Sequence, residues 1–126
     1  MIVRLLLDTH LLLWALSDPR RVGRAGLALI ERSDVYVSAA SIWEISIKAA
    51  QGKLKARPDT VLHSIDPAGF SLLPIQGEHA ARVFELGMHH ADPFDRLLVA
   101  QAQLESMTLL TNDETLSAYG KCVQVI

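Results

Sequence analysis

The chain has 126 residues, half of them hydrophobic and 21% charged, with a formal charge of −2. That suits one globular domain with its own core and excludes a bulk polycation. The single cysteine, Cys122, excludes an internal disulfide and a thiolate metal site, and fits a reducing compartment.

In chain order, Ile2 to Leu7 is an apolar run broken only by Arg4. It is too continuous for a half-exposed strand and reads as a strand covered on both faces, as in a parallel sheet. Asp8, Thr9 and His10 interrupt it, so it is neither a signal peptide nor a spanning segment, which needs roughly 20 mostly apolar residues. A soluble, cytoplasmic protein is the expectation. A helix follows from His10 to Leu16, Pro19 opens the next, and Val22 to Ile30 has helical spacing. Val35-Tyr36-Val37 is a short strand. A helix around Ile42 to Gln51 ends at Gly52, in a C-cap position. Pro58-Asp59 starts a helix through Ile65, and Phe70 to Ile75 is strand-like. Glu78 to Leu86 is helical and Gly87 stops it. An acidic helix begins at Asp92. The strand Thr108 to Thr111, a short helix around Glu114 to Tyr119 and a last strand, Cys122 to Ile126, complete the chain.

Strands alternate with helices throughout, which predicts a parallel sheet with helices on both faces. There is no repeat, low-complexity segment or linker, so residues 1–126 are read as a single domain.

In such a sheet, ligands bind beyond the carboxyl ends of the strands, where strand order reverses. Asp8 and Asp113 lie just past the ends of predicted strands. Asp95 is in the first turn of the helix before the second of these strands, and Glu44 is placed in the first turn of the helix after Val35–Val37. Clustered carboxylates repel one another without a cation, and Mg²⁺ or Mn²⁺ takes carboxylate and water oxygens. With Asp8, Glu44, Asp92, Asp95 and Asp113 set aside, the remaining charge rises from −2 to +3, compatible with a polyanionic partner. Each acid also has a local reading. Ser41-x-x-Glu44 is a capping-box pattern. Asp92-Pro93 is a helix start, and capping is the favoured role for Asp92. Asp113 could cap the short helix after it. Asp8 is the hardest to assign to a cap, because Thr9 could serve.

DTHLLLW at 8–14, SIWEI at 41–45, DPFDRLLVAQA at 92–102 and LLTND at 109–113 resemble the PIN-domain ribonucleases. More narrowly they resemble the VapC toxins of type II toxin–antitoxin pairs, over nearly the whole chain and in the family's order. The resemblance implies a five-stranded parallel sheet with first and fourth strands adjacent. It carries the family's acidic positions to Asp8, Glu44, Asp95 and Asp113, an accessory acid to Asp92 and a small hydroxyl to Thr111. It implies an endoribonuclease giving 5′-phosphate and 3′-hydroxyl ends, which inhibits translation when free of its partner. The partner implied is a VapB-like antitoxin lying across helices near the site and able to insert a basic side chain among the acids. Homodimers are also implied.

The expected chemistry is metal-dependent hydrolysis of an RNA phosphodiester. Asp8 and Asp95 hold Mg²⁺ or Mn²⁺, Asp113 completes or orients that shell, and Glu44 binds a second ion or accepts a proton from water. Thr9, Ser41 and Thr111 are candidate donors that fix carboxylate rotamers. Lys48, Lys53, Lys55 and Arg57 could track the backbone of a transfer or ribosomal RNA, or form a solvated helix end and loop. Arg96 contacts phosphate or pairs with an acid. The five histidines form no convincing metal set, and His89-His90 reads as polar loop surface. Trp14 and Trp43 read as core residues, with a partner groove as the alternative. The helices Leu11 to Leu16 and Val22 to Ile30 would supply part of such a groove. The competing readings are a metal-bound RNA-binding protein without catalysis and a receiver-like signalling module. The receiver would need an acceptor Asp after the third strand, where Pro74-Ile75-Gln76 stands. A dehalogenase-type phosphatase would need an acid at position 10, which is His.

Overall fold

A computed structural model describes residues 2–126. Five strands, β1 (Arg4–Leu7), β2 (Asp34–Ser38), β3 (Ser71–Leu73), β4 (Thr108–Thr111) and β5 (Val123–Val125), form one sheet. Every pairing is parallel, in the order β3-β2-β1-β4-β5. The helices are α1 (Thr9–Ser17), α2 (Arg24–Glu31), α3 (Ala39–Ala50), α4 (Pro58–Ile65), α5 (Gly77–Arg82) and α6 (Pro93–Glu105). Short 3₁₀ helices cover Pro19–Arg21, Val83–Glu85 and Glu114–Tyr119. The expected α/β architecture is therefore present. The helix expected after Asp113 is 3₁₀, and the one expected from Glu78 splits into α5 and a 3₁₀ turn.

The apolar run of β1 is buried on both faces because alternate side chains enter different cores. Leu5 and Leu7 pack with Leu11, Leu12, Ile45 and Val61 on the side of α1 to α4. Leu6 packs with Leu98, Val99, Ala102 and Leu116 on the other side, against α6 and the last 3₁₀ turn. Period-2 alternation of side chains across a strand produces this division. Strands β1 to β3 run outward on one side of β1, whereas β4 and β5 lie on the other. The order thus reverses between β1 and β4. Leu7 pairs with Leu110, and Asp8 N–H donates to Leu110 O at 3.0 Å. This places Asp8 opposite Thr111 at the carboxyl ends of the two strands. A receiver-type sheet has the order 2-1-3-4-5, which this one does not.

Strand β2 runs one residue beyond its apolar core to Ser38, and α3 starts at once at Ala39. Ser38 is the N-cap, its Oγ accepting from Ala40 N–H at 2.9 Å. The capping box expected from Ser41 to Glu44 is not formed, and Glu44 lies beyond the first turn of α3. The reason is that the strand's end supplies a better-placed hydroxyl three residues earlier.

Ser38 also donates to Gln101 Oε1 at 2.5 Å, and Gln101 Nε2 reaches Pro74 O at 3.3 Å. Gln101 is fully buried, so this amide ties β2, the end of β3 and α6 together inside the core. Gln101→Leu leaves the buried Ser38 hydroxyl without its acceptor and the Pro74 carbonyl without this donor. We expect a loss of about 2–3 kcal/mol in urea unfolding, with the denaturant slope unchanged.

Candidate active site

Asp8 is buried at 3% exposure directly after β1. It is the N-cap of α1: Oδ1 accepts from Leu11 N–H at 2.8 Å. Its Oδ2 accepts a short hydrogen bond from the Thr111 hydroxyl at the end of β4. Asp8, not Thr9, therefore caps the helix, and the cap and the site are the same carboxylate. Burial raises its pKa, partly offset by the bonds from Thr111 and Leu11.

Thr9 is thereby free to face α3. Its hydroxyl donates to Glu44 Oε1 at 2.6 Å and lies 3.0 Å from Ser41 Oγ. Glu44 is buried at 4% exposure, and its Oε2 pairs with Lys48 Nζ at 2.6 Å. Helical i,i+4 spacing makes this pair. The Lys48 pKa is raised chiefly by this bond.

Asp92 caps α6, its Oδ1 accepting from Phe94 N–H at 2.8 Å and Asp95 N–H at 3.0 Å. Pro93 occupies the first helical position, where its missing donor costs nothing. Asp95 in the first turn then points into the crevice. Burial pushes its pKa up to about 7, with further increments from the charges of Asp92, Asp8 and Glu44. Asp113 caps the last 3₁₀ turn, its Oδ1 accepting from Thr115 N–H at 3.0 Å and from the Thr115 hydroxyl at 2.7 Å. The Thr115 hydroxyl holds its carboxyl below the usual range. Asp113 N–H donates to Thr111 Oγ1 at 3.0 Å, so one threonine joins Asp113 to Asp8.

The structure thus gathers Asp8, Glu44, Asp92 and Asp95 closely enough for their charges to act on one another, with Thr9, Ser41 and Thr111 as hydroxyl partners. Asp113 joins them through Thr111 and His90. His90, read from the sequence as loop surface, belongs to this cluster. Its Nε2 lies 3.0 Å from Asp113 Oδ2 and 3.6 Å from Asp95 Oδ2. One ligand atom from each of His90, Asp95 and Asp113 lies within 4.8 Å of the others. The only sequence signal was its place two residues before Asp92. His10 is also close enough to Asp8 to lower that carboxyl's pKa.

The cations are distributed otherwise than the sequence suggested. Arg96 neither faces the crevice nor pairs with an acid: its Nη2 donates to Val83 O and Leu86 O, each at 3.2 Å. Arg57 pairs with Asp59 at 3.1 Å on the surface. Lys53 and Lys55 are exposed on the loop after α3. Arg21, which the sequence reading passed over, stacks on Trp14 at 4.5 Å. Both line a groove of about 640 Å³ with His10, Leu13, Leu54, Asn112 and Asp113. The groove runs from the site along α1, and α2 does not line it. Trp43 is 56% exposed rather than core, with its ring edge-on to Phe94 at 5.1 Å.

An open parallel sheet whose switch point is lined by carboxylates, with donors that fix their rotamers, defines an α/β protein with a candidate cation site. Its oxygen-rich donor set and mutually repelling acids fit Mg²⁺ or Mn²⁺. The chain matches the PIN domain family over residues 5–121 and belongs to it. Members of that family are generally nucleases. Among solved structures it is similar to a toxin–antitoxin complex from Klebsiella pneumoniae, with TM-score 0.68 and 20% identity over 95% of each chain. It is also similar to VapBC2 from Rickettsia felis bound to a promoter DNA fragment, with TM-score 0.72 and 16% identity over 98% of each chain. A third is FitAcB from Neisseria gonorrhoeae, with TM-score 0.64 and 25% identity over 94% of this chain and 95% of that one. No curated protein sequence gives a match. Among the described residues, no helix is long and apolar enough to cross a membrane.

The raised pKa of Asp95 sets a stability trend for the metal-free protein. The unfolded carboxyl ionises near 3.8 and the folded one near 7. Folding therefore carries no penalty from this group below pH 3.8, an increasing one up to pH 7, and the full one above, roughly 2–4 kcal/mol. In chelator, Asp95→Asn should melt above the wild type at pH 8 and close to it at pH 4. Added Mn²⁺ should raise the wild-type melting temperature more than that of the variant.

Proposed function

We propose that this chain is a metal-dependent endoribonuclease and the toxin of a VapBC-type pair. The observation that carries the reading is the meeting of Asp8, Glu44, Asp95 and Asp113 at the β1–β4 switch point, with Asp95 pushed to about 7. Asp8, Asp95 and Asp113 would hold the ion. A bound Mg²⁺ or Mn²⁺ supplies a lowered water pKa and shields charge developing on phosphate. Thr111 and Leu11 N–H hold the Asp8 rotamer, and Thr9 holds Glu44, which takes a proton from the attacking water. The water oxygen bonds to phosphorus as the 3′ oxygen leaves with a proton, giving 5′-phosphate and 3′-hydroxyl ends.

The RNA backbone, of transfer or ribosomal RNA, would run over Lys53 and Lys55 at the loop after α3. Lys48 is engaged with Glu44 and Arg57 with Asp59, so they contribute less, and Arg96 supports the fold. The partner is a VapB-like antitoxin seated in the α1 groove, which opens on Asp113. The similarity to FitAcB, VapBC2 and the Klebsiella complex supports that partner. A second copy of the chain would cover the apolar face of Ile42, Trp43, Leu62 and Leu72, a groove of about 490 Å³. Trp43→Glu should then shift the protein from dimer to monomer in light scattering, with the far-UV spectrum unchanged.

The purified protein, mixed with transfer RNA, ribosomal RNA and single-stranded DNA, should cut an RNA in Mn²⁺ or Mg²⁺ and not in chelator. Asp8→Asn and Asp95→Asn should each abolish cleavage and still fold. Full activity in either variant removes that residue from the mechanism. Binding of RNA without cleavage under all conditions would favour a non-catalytic RNA-binding protein.

A further inference from the structure

His90 sits among the carboxylates proposed above to hold a metal, and its two ring nitrogens settle which of two roles it can play. The backbone N–H of Asp92 donates to His90 Nδ1 at 3.1 Å. A peptide N–H has only a hydrogen to offer, so Nδ1 presents its lone pair and carries no proton. A neutral imidazole with an unprotonated Nδ1 must carry its hydrogen on Nε2. That Nε2 is the nitrogen directed at the acids, 3.0 Å from Asp113 Oδ2 and 3.6 Å from Asp95 Oδ2. A nitrogen that bears hydrogen has no lone pair for a cation.

We propose that His90 is a positioning residue, fixed as the Nε2–H tautomer, that holds Asp113 toward Asp95 and is not itself a metal ligand. The arrangement fixes both oxygens of Asp113: Thr115 occupies Oδ1 and His90 occupies Oδ2. It also joins the two halves of the site. Asp92 uses its backbone N–H to set the His90 tautomer and its side chain to cap α6 and place Asp95. The loop that carries His90 is held from behind. The Tyr119 hydroxyl donates to Gly87 O at 2.9 Å, and the His89 ring meets Tyr119 edge-on at 5.1 Å. A Cβ at Gly87 would lie 2.7 Å from His89 Nε2, so the His89 ring packs directly over this glycine. His90 is thus presented by a braced loop.

The tautomer is tested on the metal-free protein, independently of any nuclease activity. Nitrogen-15 NMR of His90 should show hydrogen on Nε2 and a bare Nδ1, and the Asp113 carboxyl carbon signal should shift in His90→Ala. Hydrogen on Nδ1 overturns the proposal. The metal-dependent part rests on the proposed nuclease site and uses Mn²⁺ itself as the probe. His90→Ala should bind Mn²⁺ about tenfold more weakly, the usual consequence of losing a partner to a ligand. His90→Gln, whose amide N–H reaches the place of Nε2, should restore affinity to within about threefold of the wild type. The electron spin-echo spectrum of bound Mn²⁺ should show no directly bonded nitrogen. A directly bonded nitrogen that disappears in His90→Gln overturns the proposal, as does wild-type affinity in His90→Ala. Failure of the wild type to bind Mn²⁺ would instead overturn the metal reading of the site, and the NMR result would then decide the tautomer alone.

Discussion

Asp8 occupies the seam between β1 and β4, where a buried carboxylate must find partners or lose its charge. It finds two: the first turn of α1 through Leu11 N–H, and the last residue of β4 through the Thr111 hydroxyl. Burying a carboxylate without such partners would be prohibitive. The two bonds come from elements far apart in the chain, so the charge can be kept only when β1 and β4 are neighbours in register. The same threonine accepts from Asp113 N–H, which carries the constraint to the next acid. The seam thus positions the site, and the site's local requirements in turn specify the seam.

Three acids of the cluster share a second property: Asp8, Asp92 and Asp113 each cap a helix or 3₁₀ turn. Capping and function are usually treated as rival explanations for an acid at a helix start. Here they reinforce each other. A cap fixes one carboxylate oxygen on backbone N–H groups and leaves the other for a second partner, Thr111 at Asp8 and His90 at Asp113. The unsatisfied N–H groups of the first turn also carry partial positive charge that eases crowding of like charges. Asp95 is pushed to about 7 chiefly by burial and further by the charges of Asp92, Asp8 and Glu44, while Thr115 and His90 keep the pKa of Asp113 low.

The alternation of strands and helices, the two-sided burial of β1 and the helix starts at Pro58 and Pro93 were legible because each depends on neighbours within one or two turns of chain. Leu5 and Leu7 alternate with Leu6 whatever lies beyond them. Asp8, Asp95 and Asp113 were legible as a set because each stands at a strand end or helix start. Where such ends gather is a general consequence of parallel sheets. Glu44 lies near enough to Asp95 and Asp8 for their charges to interact, but beyond the first turn of α3 rather than in it, since Ser38 caps the helix.

What the amino-acid order determined by itself was the inventory of elements and the ends at which the acids stand, since backbone preferences and apolar periodicity are short-range. Only the tertiary structure decided which side chains meet. Arg96 follows Asp95 in the chain, yet the loop before α6 draws it away to two carbonyls. His90, on an irregular loop with no periodicity to read, is brought to Asp113 from 23 residues away. Trp43 remains half-exposed although Ile42, Ile45 and Ile47 stand close to it along the chain. Contacts of this kind depend on side-chain direction and long-range packing, which no local pattern encodes.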